Sequence, residues 1–183
     1  MLYTQTKPCD KRLFRNAVPR AGRKKVVAMS SVTIRQATID DSRAVATMVL
    51  ELLLEIAPES ADTLSLDGLA GVSASLLADG QGVWAFLAVA GGGEAVGVLT
   101  LNECAALYAK GRFGEISELY VAPEWRSAKV GAKLIDAAVA FGRGCGWPLI
   151  EVGAPDQLKW RRSVDFYHGY GFTEVGPRLS LTL

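Results

Sequence analysis

The stretch from Glu115 to Leu134, EISELYVAPEWRSAKVGAKL, restricts the fold more than any other part of the chain. Ile116 to Val121 is a short apolar run that reads as a buried strand. Pro123 has no N–H to give a ladder, so the strand stops there. Small and basic residues from Arg126 to Gly131 follow, and Ala132 to Phe141 then carries apolar residues at helical spacing. The implied unit is strand, tight loop, helix. A helix that begins after such a loop points several unpaired backbone N–H groups at one spot. Its dipole adds partial positive charge there, which suits a phosphate. An ordinary strand-to-helix connection in an α/β domain is the competing reading, because short glycine motifs are common.

The segment VAPEWRSAKVGAKLI resembles the acetyl-CoA signature of the GNAT family, the Gcn5-related N-acetyltransferases. That signature is Arg/Gln-x-x-Gly-x-Gly/Ala after a strand, and here it stands as Arg126-Ser127-Ala128-Lys129-Val130-Gly131. Arg126 and Gly131 match. Lys129 occupies the place of the first glycine, where its side chain must point away from a bound diphosphate and adds a cation beside it. The segment FYHGYGF, Phe166 to Phe172, is similar to the family's second landmark, an aromatic pair followed by Gly-Phe. The resemblance implies a mixed α/β fold: a central, mostly antiparallel twisted sheet with helices on both faces. It also implies acetyl-CoA as co-substrate, with no metal, and transfer of acetyl to an amine by direct attack in a ternary complex.

The residue-by-residue implications follow from the same match. Tyr167 falls on the tyrosine that the family places near the coenzyme sulfur as general acid. An ordinary phenol pKa of about 10 keeps it a donor at neutral pH. Tyr170 is read as packing and His168 as surface. Glu118 lies mid-strand among apolar neighbours, which is costly for a carboxylate unless it faces a polar cleft. It is the candidate base or the anchor of a cationic substrate, with Glu115 and Glu151 as weaker candidates. Backbone groups of Leu119, Tyr120 and Val121 would pair with the pantetheine arm as an added strand. The N–H groups of Ser127, Ala128, Lys129, Val130, Gly131 and Ala132 would take the diphosphate, with Arg126 adding charge and Arg161 or Arg162 reaching an adenosine phosphate. Trp160 stands where the family often has an asparagine that touches the arm.

Composition limits the rest. The chain has 183 residues, half of them apolar, which suits one core. No run is long enough to span a bilayer. Three cysteines, Cys9, Cys104 and Cys145, without a C-x-x-C pattern argue against a disulfide framework and a zinc site. A reducing cytoplasm is the expected home. Charge is split unevenly. Residues 1–28 hold eight basic residues against Asp10, a net +7, while the remainder holds 12 basic and 18 acidic residues, a net −6. The first piece lacks apolar periodicity and is expected to be disordered, with residues 29–183 forming the single transferase domain. In the preferred reading Met29 is a natural start and 1–28 is an upstream extension or vector-like leader. A transit peptide and a nucleic-acid-binding arm are the alternatives.

Along the body, the periodicity predicts a strand over Val32 to Gln36, a helix over Ser42 to Ile56 with Asp40 or Asp41 at its start, and a turn-rich Ala61 to Gly71. A short helix over Ser73 to Ala78 and a hairpin of Trp84 to Ala90 with Ala95 to Glu103 follow. Ala105 to Gly114 is expected as a connection. A helix over residues 129–143, a strand over Pro148 to Val152, a helix over Asp156 to Tyr170 and a β segment within Glu174 to Leu183 complete the expectation. The acidic body favours a small cationic amine or peptide amine as acceptor, and family relatives are often homodimers. Nucleic acid is an unlikely partner in this reading. A non-catalytic acyl-CoA-binding or sensing module is the alternative function, and a nucleic-acid-associated protein rests only on the leader.

Overall fold

Four consecutive apolar stretches build most of one sheet. The computed structural model describes residues 31–78, 82–153, 159–176 and 181, so the basic leader lies outside the described residues. The strands are β1 (Thr33–Gln36), β2 (Val83–Val89), β3 (Ala95–Ala106), β4 (Gly111–Val121) and β5 (Ile150–Val152). They lie in that order across the sheet, antiparallel from β1 to β4 and parallel between β4 and β5. The helices are α1 (Ser42–Ile56), α2 (Leu66–Leu77), α3 (Val130–Cys145) and α4 (Arg161–Tyr170). This is the mixed, mostly antiparallel architecture expected from the sequence. No helix among the described residues is long and apolar enough to cross a membrane.

Both faces of the sheet are covered, and β2 shows why. Ala85, Phe86, Leu87 and Ala88 are all buried, so its successive side chains meet protein on either side. Phe86 and Ala88 join Leu99, Leu101 and Ile116 beneath α3, whose Val130, Leu134, Ile135, Ala138 and Phe141 form the buried stripe. Ala85 and Leu87 join Val98 and Tyr120 beneath α1, through Val45. At the start of α1, Asp41 turns its carboxylate back to the Thr38 N–H at 2.8 Å and to Arg35 at 2.6 Å. These contacts, the Arg35 guanidinium first, hold the Asp41 pKa at about 2.

One end of the sheet is locked by Trp147. A Cβ at Gly114 would sit 2.6 Å from its ring, and one at Gly142 would sit 3.0 Å away, so the indole fills the space two glycines leave between β4 and α3. Trp84 and Phe141 pack beside it with ring centroids 5.7 and 5.8 Å away. The indole N–H donates to Glu103 Oε2 at 3.1 Å, and Glu103 is paired with Arg112 at 2.5 Å.

Several elements differ from expectation. α2 begins at Leu66, well before Ser73, because Ser65 caps it by accepting from the Gly68 N–H at 3.0 Å. Residues 105–114 are not a mere connection. β3 runs on to Ala106, and β4 starts at Gly111 after a turn closed by the Lys110 N–H on the Leu107 carbonyl at 3.0 Å. α4 begins at Arg161, and residues 156–158 of the expected helix lie outside the described residues. Of the expected last strand, Glu174 to Gly176 is irregular and most of the remainder lies outside the described residues.

Gly114→Ala should lower unfolding stability by about 2 kcal/mol in urea titration, since the added methyl must displace a packed indole. Gly92→Ala, where an added Cβ meets nothing within 4 Å, should leave the midpoint unchanged in the same titration.

Candidate active site

The turn between β4 and α3 is shaped by two left-handed residues. A one-turn 3-10 segment, Pro123–Trp125, ends β4, and residues 126–129 lead into α3. Ser127 and Lys129 have φ of +68° and +62°, which side chains seldom adopt. Lys129 therefore takes the backbone shape that a glycine would take at no steric cost. Its side chain is exposed, so it runs into solvent. The N–H groups of Ser127, Lys129, Val130, Gly131 and Ala132 find no backbone acceptor among the described residues, while that of Ala128 has only a long contact, 3.4 Å, to the Trp125 carbonyl. Such a row of free donors at a helix start can hold an anion.

Neighbouring elements tighten this turn. Arg162, on α4, donates to the Ser127 hydroxyl at 2.8 Å and brings a second cation beside Lys129. Arg161 instead faces Asp165, one turn on, at 3.9 Å. A Cβ on Gly131 would lie 3.2 Å from the Phe166 ring, so this glycine lets α3 close on α4. Arg126 is placed differently from the expected phosphate ligand. Its fork is paired with both carboxylate oxygens of Glu55 at 3.0 and 2.5 Å, and its Nε donates to the Val121 carbonyl at 2.8 Å. The guanidinium also lies 5.6 Å from the centre of the Tyr120 ring.

In β4, the pairing partners Leu101↔Ile116 and Leu99↔Leu119 are two residues apart on β3 and three apart on β4. The extra residue is a bulge at Ser117–Glu118, opposite Thr100. It turns both side chains toward the α1–α2 face, while Leu119 and Val121 pack on the α3 side and Tyr120 on the α1 side. The Thr100 hydroxyl donates to Glu118 Oε2 and accepts from the Glu118 N–H at 3.0 Å. The Asn102 amide donates to the Ser117 hydroxyl. Thr100, Asn102, Ser117 and Glu118 form the polar floor of a cleft of about 170 Å³ walled by α1 and α2. The sequence reading named Glu118 but missed its three companions. Thr100 was the available signal, a polar residue inside the apolar run Val96 to Leu101. The parallel ladder with β5 is formed by Gly114, Glu115 and Ile116 alone. Beyond Ile116, β4 has no partner on that side among the described residues.

Tyr167 sits on α4, on the other side of the sheet from Glu118. It packs partly buried against the α3 core, with Phe166 at 5.5 Å and Phe172 edge-on at 5.7 Å between ring centres. Gly171, at φ +114°, ends the helix, and the Phe172 N–H returns to the Tyr167 carbonyl at 3.0 Å. The phenol makes no hydrogen bond to a described residue, and it lines the open cleft between α3, β5 and α4. Burial pushes its pKa up to about 12. Tyr170 donates to Asp136 at 2.6 Å, tying α4 to α3, and His168 lies on the surface 3.9 Å from Glu174. Trp160 starts α4, its carbonyl accepting from Ser163 and its ring 5.6 Å from the Lys159 ammonium, which in turn reaches the Ile56 carbonyl at the end of α1. Glu115 is near Cys104 at 3.4 Å and Glu151 accepts from Tyr108 at 2.9 Å, both away from the bulge.

Comparison with known proteins gives consistent findings. The family profile described as acetyltransferase (GNAT) domain matches residues 80–174. No curated protein matches the sequence. Among solved structures, a possible acetyltransferase from Clostridium difficile 630 is similar at 16% identity and a TM-score of 0.68, over 83% of this chain and 97% of that one. An aminoglycoside acetyltransferase, meta-AAC0020, from an uncultured soil metagenomic sample superposes at 22% identity and a TM-score of 0.67, over 83% and 96%. A ribosomal-protein-alanine N-acetyltransferase from Brucella melitensis biovar Abortus 2308 does so at 16% identity and a TM-score of 0.64, over 84% and 100%. At these identities the likeness concerns the fold.

Lys129→Gly should raise stability by on the order of 1 kcal/mol in thermal or urea unfolding, since glycine removes the left-handed strain at that turn. An unchanged or lower midpoint would mean the lysine is held there by contacts that offset the strain.

Proposed function

The chain belongs to the GNAT acetyltransferases, and we propose that it moves acetyl from acetyl-CoA to a primary amine of a small cationic acceptor by direct attack in a ternary complex. The observation that carries this reading is the row of N–H groups without a backbone acceptor in the turn between β4 and α3. Two further features support it: among the described residues β4 has no partner beyond Ile116 on the side of β5, and the Tyr167 phenol has no hydrogen-bond partner where it lines the cleft between α3, β5 and α4.

Each residue has a role in the proposal. The N–H groups of Ser127, Ala128, Lys129, Val130, Gly131 and Ala132 hold the diphosphate, with the Lys129 and Arg162 cations beside it. The edge at Leu119, Tyr120 and Val121 pairs with the amides of the pantetheine arm. Because the Val121 carbonyl already accepts from Arg126, that pairing centres on Leu119 and Tyr120. Arg126, engaged by Glu55, braces the turn against α1. Trp160 walls the arm at the start of α4. The thioester supplies the activated acyl group. Glu118 accepts a proton from the incoming ammonium, directly or through water, so that the nitrogen lone pair can form the new C–N bond. Tyr167 gives its proton to the sulfur as the C–S bond breaks, and the proton lost from the new amide nitrogen restores the phenol through solvent. The balance is one ammonium and one thioester in, and one amide, one thiol and one proton out. A cytoplasmic home and a homodimer belong to the same reading.

Tyr167→Phe should cut thiol release by about a hundredfold while calorimetry shows coenzyme affinity within about twofold of the parent. Coenzyme binding with no turnover of any amine by the parent protein would favour the sensing module instead. Glu118→Gln should lower kcat/KM for the acceptor about tenfold or more and leave coenzyme affinity unchanged. The pH profile follows from the raised phenol pKa. The rate should climb as the acceptor amine loses its proton, and Tyr167, at about 12, should cause no falling limb below about pH 11.

A further inference from the structure

We infer that the acceptor is a small monoamine with an apolar carbon skeleton, about the size of one six-membered ring or a short branched chain, held with its nitrogen at Glu118 and its body between α1 and α2. This rests on the transferase reading above and narrows it to a substrate class.

Charge is the first argument. Among the described residues, Glu118 is the only charged side chain lining the cleft. One of its oxygens already accepts from Thr100, which leaves the other for one ammonium. The walls opposite are Val45 and Val49 from α1 and Leu69, Val72, Leu76 and Leu77 from α2. A second or third ammonium would lie against valine and leucine with no counter-charge, and the hydroxyls of a sugar would be stripped of water with few partners. An aliphatic or aromatic body gains from the same surface.

Size is the second. A cavity of about 150 Å³ lined by leucine, isoleucine and phenylalanine holds one benzene, and this cleft is about 170 Å³. Two further details fit an apolar occupant. Val72 and Leu76 remain 55% and 43% exposed, so the chain leaves apolar surface uncovered at the mouth. The Ser73 hydroxyl oxygen is buried without a hydrogen-bond partner among the described residues, and Ser73 lines the cleft. It offers one bond to a single polar atom on an otherwise apolar skeleton.

The test uses the full chain. Calorimetry with acetyl-CoA comes first, then thiol release with 2-phenylethylamine, isoamylamine, spermidine and kanamycin. The expected result is a kcat/KM for phenylethylamine or isoamylamine about tenfold or more above that for spermidine and kanamycin. Equal or better turnover of spermidine or kanamycin overturns the inference and leaves the transferase reading standing. Coenzyme binding without turnover of any of the four amines overturns the inference while the coenzyme site stands. Absence of coenzyme binding overturns the transferase reading, and the inference with it. Leu76→Asp and Val72→Asp, both at exposed positions, should each raise KM for phenylethylamine about fivefold or more without moving KM for acetyl-CoA or the thermal midpoint. An unchanged acceptor KM in both variants also overturns the inference.

Discussion

β4 is paired on both sides from Gly114 to Ile116 and, among the described residues, on one side only beyond it, and the rest of the molecule is arranged around that change. At the closed end the three-residue parallel ladder is short, and a ladder so short does not hold two strands together by itself. Trp147 supplies the missing cohesion. It enters the space left by Gly114 and Gly142, adds aromatic contacts to Trp84 and Phe141, and anchors its N–H on Glu103. With β5 and α3 fixed at that end, β4 continues alone on its outer side. An open strand edge carries unpaired donors and acceptors, which a folded protein normally covers or blunts. Here the strand leads into a turn in which the N–H groups of Ser127, Lys129, Val130, Gly131 and Ala132 find no backbone acceptor among the described residues.

The bulge at Ser117–Glu118 changes what the same strand presents to its other face. In a regular strand, consecutive side chains point to opposite faces. The extra residue sends two neighbours to the α1–α2 face, where Thr100 and Asn102 satisfy them. Glu118 is thereby tolerated beside apolar walls, since a carboxylate that accepts a hydrogen bond escapes part of the penalty of partial burial. Tyr167 packs on the opposite, α3 side of the sheet, so the proposed base and acid lie on different faces of it.

How much of this was legible varied with the range of the forces involved. α1 was read at its true limits because Val45, Met48, Val49, Leu52 and Leu53 repeat at helical spacing and Pro58 closes the segment. α3 and its Gly146 end were likewise local matters. α2 was read too short because Gly68 and Gly71 weaken the local preference for helix, while the Ser65 cap and contacts with α1 restore it. The far half of the β3–β4 hairpin was hidden because its stability comes from cross-strand pairs such as Glu103 with Arg112, not from apolar content. The bulge had left a trace, since the apolar residues Ile116 and Leu119 are three apart where a regular strand would space them by two. Arg126 could not be placed from its own neighbourhood, because its carboxylate partner, Glu55, is 71 residues away. At Lys129 the left-handed backbone was not legible from the residue, because lysine seldom adopts that region.

The Glu55–Arg126 clamp has a mechanical consequence. α1 walls the cleft with Val45, Ala46 and Val49, and its last turn is bolted to the loop that precedes α3. Lys159 presses on the same end of the helix from the beginning of α4. The cleft and the turn before α3 therefore share a single stiff lever, and any rocking of α1 that widens the cleft must pull on the turn.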